Sequence, residues 1–200
     1  MNTQAARSLA VLLGLCVSGC ALLGKSEALS PRYFSPDSAP PTASAARSPT
    51  PTTAVELALG RVTAAAHLGE RIVYRDSSHE LNFYDERRWS EKPEAYLRRA
   101  LARSLFEQRG LRRLVSGIGP TLDVELTEFA EVRGDSPSAR VAATFLLYDQ
   151  RQVRRQASVY VELPLARKAP PEVVARTLTD ALSRAVDLMT TQVMTELQTQ

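Results

Sequence analysis

The chain has two cysteines, both near its N-terminus, and one of them is placed for covalent chemistry. Arg7, an apolar run from Leu9 to Leu15 and the small residues Val17, Ser18 and Gly19 lead directly into Cys20. A basic start, a short apolar stretch and small side chains before the cut are the order of a secretory signal, and a cysteine at the cut is a thiol placed for acylation. The apolar stretch falls short of the roughly 20 residues that a spanning helix needs. Cleavage without acylation would leave a lone thiol in an oxidising compartment, which secreted proteins avoid. The expected mature chain therefore begins at Cys20, carrying a covalent diacylglycerol and an N-acyl chain such as palmitate. At about 0.8 kcal/mol per buried methylene, two or three chains hold a protein stably at a membrane where one does not.

Other reactive side chains do not assemble a reaction. His67 and His79 are twelve apart, without the i, i+4 spacing or neighbouring acids of a zinc site, and read as surface residues. Gly117-Ile118-Gly119 runs into Pro120 and a strand, so no helix N-terminus follows to hold a phosphate, and a turn is expected. No serine lies in a Gly-x-Ser-x-Gly elbow. Asp85 and Glu86 are followed at once by Arg87 and Arg88, the pattern of a solvated charge cluster rather than of an acid/base pair. Cys16 leaves with the signal and Cys20 is consumed by lipid, which excludes disulfides and thiolate metal sites in the folded part. Neither a catalytic residue, nor a metal, nor any cofactor beyond the lipid on Cys20 is expected. The 25 Lys and Arg barely outnumber the 22 Asp and Glu, form no block and do not alternate with aromatics, so nucleic acid is not an expected partner.

Residues 1–19 are thus the expected signal peptide. Residues 20–53 are rich in Ala, Ser, Thr and Pro and form a tether behind the lipidated cysteine. One island within it, Arg32-Tyr33-Phe34-Ser35, predicts a short strand near 32–35 that docks on the domain edge. Residues 54–200 form the domain.

Val55, Leu57 and Leu59 alternate with polar or small residues in the period of a half-buried strand. Ile72-Val73-Tyr74 and Leu81-Asn82-Phe83-Tyr84 flank a turn-rich segment and predict a hairpin. Pro93 suits a helix start, with Leu97, Ala100, Leu101, Ser104 and Leu105 on one face until Gly110, and Phe106 opposite them. Alternating runs at 122–126, 141–147 and 159–163, joined by turn formers, predict an antiparallel meander. Asp123, Glu125 and Thr127 would line its wet face. Pro170 and Pro171 open a last helix whose apolar stripe is Val174, Leu178, Ala181, Leu182, Ala185, Leu188 and Met189. The sum is a two-layer α+β domain, a largely antiparallel sheet with two amphipathic helices on one face.

The run Arg71-Ile72-Val73-Tyr74-Arg75, then Glu80 to Asp85, then Arg88-Trp89-Ser90-Glu91 and the helix after it resembles the ABC-type transport auxiliary lipoprotein component family, which includes the small lipoprotein of paraquat-inducible, MCE-type systems. Its most specific piece is the aromatic-Asp-x-x-Arg-Trp order from Tyr84 to Trp89, and the likeness extends over the meander and the final helix. The resemblance implies a non-enzymatic role, serving an ABC transporter whose periplasmic MCE-domain partner carries lipid, and it leaves homo-oligomerisation open. Ala21 and Leu22, in place of the aspartate that resembles an inner-membrane retention signal, direct the expectation to the periplasmic face of the outer membrane. A rival reading is an outer-membrane regulator of a cell-wall synthase, since a tethered domain does not by itself name its partner. Tyr84, Arg88 and Trp89 are the candidate partner-binding residues, with Trp89 expected chiefly as a plug of the core.

Overall fold

The computed structural model describes residues 30–36, 55–76, 79–115, 117–150 and 152–199. Cys20 and most of the 20–53 tether lie outside the described residues. Eight strands and two helices make up the described domain: β1 (Arg32–Phe34), β2 (Glu56–Ala64), β3 (Arg71–Arg75), β4 (Asn82–Trp89), α1 (Pro93–Ala102), β5 (Arg112–Arg113), β6 (Pro120–Val132), β7 (Ser138–Asp149), β8 (Gln152–Pro164) and α2 (Pro171–Gln198).

β6 is the axis of the sheet. Its alternating apolar residues suit a strand covered on one face, and β7 pairs with it antiparallel from Pro120↔Asp149 to Val132↔Ser138. β8 continues the meander on the far side of β7. The other edge of β6 is shared end to end by two parallel strands, β2 beside residues 121–126 and β3 beside residues 130–132. Between them the chain detours through residues 65–70, and Leu68 drops from this detour into the core. β4 pairs antiparallel with β3 as the predicted hairpin, β1 docks parallel on β4, and β5 pairs with β2. The sheet is therefore mixed, with its longest ladders antiparallel. α1 and α2 pack on one face of it and on each other, the two-layer arrangement that the sequence predicts.

Four register shifts move side chains away from simple periodicity, one between β7 and β8 at Leu147/Tyr148 and three along β6, β2 and β4. Leu126 pairs with Ala143 but Glu128 with Ala142, so Thr127 is an extra residue. That bulge flips the strand's phase, and Phe129 and Glu131, rather than Glu128 and Ala130, continue the helix-facing row opposite Val141 and Ala139. A second break lies in β2 between Leu59 and Val62. Here the Asp123 carboxylate accepts the Arg61 N–H at 2.7 Å, and Arg98 donates to the Gly60 carbonyl at 2.9 Å. Asp123, on the predicted wet face, thus holds a bulge in place. The third lies in β4, opposite Ile72 of β3.

α1 does not run as one α-helix to Gly110. From Arg103 to Gln108 it widens into a π-turn, with the Arg109 N–H donating to the Ser104 carbonyl. The wider turn swings Phe106 from the outer side to a half-buried place under the Arg113 guanidinium, 4.5 Å away. Buried Ser104 meets Thr190 of α2 at 3.1 Å, which satisfies both hydroxyls between the helices. On α2 the buried stripe runs through Val174, Leu178, Leu182, Ala185, Met189, Val193 and Leu197. Leu188 falls outside it and is 47% exposed, because three residues after Ala185 the helix has turned about 60° short of a full turn, whereas the fourth, Met189, returns to the buried face.

Candidate functional site

In β4 the pairing jumps from Val73↔Phe83 to Arg71↔Arg88, so Ile72 alone is spanned by four residues, Tyr84 to Arg87. Bulges of this kind re-aim side chains. This one turns Tyr84 and Arg87 to the same side and lays the Arg87 guanidinium over the Tyr84 ring at 3.8 Å. The order from Tyr84 to Trp89 is thus a bulge followed by a return to the ladder, where Arg88 and Trp89 lie beside Tyr33 and Phe34 of β1.

Above the bulge opens a cleft of about 540 Å³, walled by Tyr84 and Arg87, by Glu131 and Arg133 at the end of β6, and by Arg167 and Lys168 in the loop before α2. Glu131 reaches it because of the Thr127 bulge. Its buried carboxylate accepts the Tyr84 hydroxyl proton in a hydrogen bond. Burial first, and then this bond to Glu131, push the Tyr84 phenol up from its ordinary value, so it remains a donor near neutral pH. Arg133 lies 3.6 Å over the ring of Tyr74 and 4.7 Å over that of Tyr84, and the two rings are themselves 4.8 Å apart. Two guanidinium groups are thereby held flat on aromatic faces, a stacking that favours cations and fixes their direction.

The three sequence-predicted residues part company here. Tyr84 walls the cleft. Arg88 sits one residue past the bulge, half-buried, its Nε enclosed without a hydrogen-bond partner among the described residues. Trp89 is 1% exposed, with Phe129 at 4.9 Å and Tyr96 at 6.3 Å between ring centroids. Arg87, Glu131, Arg133, Arg167 and Lys168 were not singled out by sequence reasoning, because three separate segments supply them. The motif itself, with a conspicuous Arg87 between Tyr84 and Trp89, was the available signal.

Other residues singled out by the sequence lie away from the cleft. Gly117-Ile118-Gly119 is a bend leading into β6, with Gly117 at φ 112, beside an open concavity of about 920 Å³ at the opposite end of the sheet. His67 is half-buried in the 65–70 detour, where burial and then Arg75 hold its imidazole pKa down. Among the described residues no three His, Cys, Asp or Glu side chains gather as a metal site, and no helix is long and apolar enough to cross a membrane. On the sheet face away from the helices, Arg75, Glu128, Arg140 and Glu162 form a chain of ion pairs across β3, β6, β7 and β8, with Nε of Arg75 at 3.2 Å from Glu128.

This layout recurs in solved structures. A protein from Xanthomonas campestris superposes with a TM-score of 0.67 at 18% identity, covering 84% of this chain and 97% of that one. A second solved chain, described as an uncharacterized protein, gives 0.62 at 17% identity, with 82% and 99% covered. At such identities the likeness establishes the fold. No curated protein matches the sequence. Residues 36–194 do match the ABC-type transport auxiliary lipoprotein component family, and the chain belongs to that family. It is accordingly a membrane-anchored lipoprotein, an auxiliary component of an ABC-type transport system.

Proposed function

We propose that this lipoprotein stands on the periplasmic face of the outer membrane, anchored through Cys20, and docks the lipid-carrying MCE-domain partner of its ABC transporter, without catalysing a reaction itself. The observation that carries this reading is the family match over 36–194, spanning the described domain from β2 through most of α2. Physical chemistry gives the role its reason. Exposing lipid chains to water costs about 0.8 kcal/mol per methylene, so a route between two membranes needs a docking element where the cargo is delivered. A domain with a mixed sheet and a cationic cleft suits a binding task.

Crosslinking in intact cells followed by recovery of this protein from the outer-membrane fraction tests the proposal. The expected product is a covalent adduct with an MCE-domain protein encoded beside an ABC permease. Recovery of a peptidoglycan synthase with no MCE-domain protein would overturn it, as would fractionation wholly with the inner membrane.

A further inference from the structure

The cleft holds more cationic donors than the domain itself engages. Arg87 lays its flat face on Tyr84 and helps, after Arg32, to hold the Glu172 carboxyl below its usual value, but its N–H edge makes no hydrogen bond among the described residues. Lys168, held at φ 59 in the loop before α2, also has no anionic partner among them. Arg133 approaches the carboxylates of Glu131 and Asp76 only to 3.7 and 3.8 Å, too far for hydrogen bonds. Arg167 pairs with Asp135, a fully solvated side chain, in the kind of surface pair that contributes little. Glu131 is the one carboxylate lining the cleft, and Tyr84 already occupies it. Guanidinium groups fixed by stacking and presenting an open N–H edge match the oxygens of a phosphate.

The position of the cleft adds a second, independent observation. β1 places Arg32 in register with Arg87, and the Arg32 guanidinium pairs with Glu172 at the start of α2. The chain therefore joins the domain at the rim of the cleft. Cys20 precedes Arg32 by twelve residues, a span that reaches at most about 40 Å. A cleft of about 540 Å³ has room for a head group and its glycerol, and its polar, charged walls do not suit acyl chains.

We propose that this cleft seats the phosphate head group of an anionic phospholipid in the anchoring membrane. It thereby fixes the domain's orientation, with the opposite end of the sheet presented to the periplasm. The proposal rests on membership of the lipoprotein family and not on the identity of the transport partner, so the two fail separately.

Hydrogen exchange on the full lipidated protein tests it, with the protein reconstituted in vesicles of phosphatidylcholine alone or containing one-third phosphatidylglycerol. Amides of 131–136, 166–169 and 172–173 should exchange about fivefold more slowly on the anionic vesicles, the factor expected of one basic side chain at such a surface. Lys168→Gln, on an exposed loop where folding is not at risk, should remove most of that protection, as should Arg87→Gln. Arg103→Gln, on the π-turn near the other end of α2, should not. Equal protection on neutral vesicles would overturn the proposal. So would matching protection by glycerol 3-phosphate in solution, which would make the ligand a free phosphate. Protection that appears only when the MCE-domain partner is added would assign the cleft to a protein contact instead.

Discussion

At the residue scale the decisive case is Trp89, the only tryptophan of the chain. It lies in a motif whose neighbours wall a cleft, yet its ring is enclosed by Phe129 and Tyr96, and its backbone N–H donates to the Glu70 carbonyl at 2.6 Å. Truncating a ring so placed costs about 3 to 5 kcal/mol, the transfer term plus the cavity left behind. Trp89→Ala should therefore lower the melting temperature by roughly 10 °C, taking 2–4 °C per kcal/mol for a domain of this size. Melting that stays unchanged while partner capture is lost would show instead that the ring serves an interface. The tryptophan's burial was legible in the sequence because a lone large aromatic between a hairpin and a helix has few other places to go. The role of Arg87 was not, because a row of four charged residues reads as a solvated face until a bulge folds one of them onto a tyrosine.

Among the elements, alternation located the strands of the meander, and Pro93, Pro170 and Pro171 marked the helix starts, since each of these signals is local. The missing information was phase. A single extra residue at Thr127 exchanges the two faces of β6, and composition does not announce it, so Glu131 could not be placed among buried residues from the sequence. The parallel pairings of β2 and β3 along one edge of β6 escaped for a related reason, because they depend on long-range partners and a detour between two collinear strands. The β2 irregularity gives a direct test of how much such devices matter. A Cβ at Gly60 would overlap the Asp123 carboxylate and come within 2.8 Å of Thr121 Cγ2. That carboxylate is held by the Arg61 N–H, so it cannot retreat without leaving the bulge uncapped. Gly60→Ala should destabilise the domain by about 1 to 3 kcal/mol, the usual cost of overpacking. A denaturant midpoint equal to that of the parent would show that the β2 bulge yields freely.

For the whole molecule, attachment and folding are separable. The described core runs from Leu57 through Leu197, and no cysteine follows Cys20 in the sequence. Cys20→Ser should leave the melting temperature within a degree or two of the parent while removing two or three acyl chains, at about 0.8 kcal/mol for every methylene no longer buried. Anchoring by lipid is insensitive to salt, whereas attraction of a cationic cleft to anionic head groups is screened within about 10 Å at 0.1 M ionic strength. The two contributions can therefore be told apart in one fractionation. The parent should stay with the membrane through a high-salt wash. The Cys20→Ser chain should appear in the supernatant, retained only weakly on anionic membranes at low salt and released as salt rises. Acyl labelling of the parent and its loss in the variant would tie the effect to the thiol, and a Cys20→Ser protein that still carried fatty acid and resisted the wash would show that the anchor lies elsewhere.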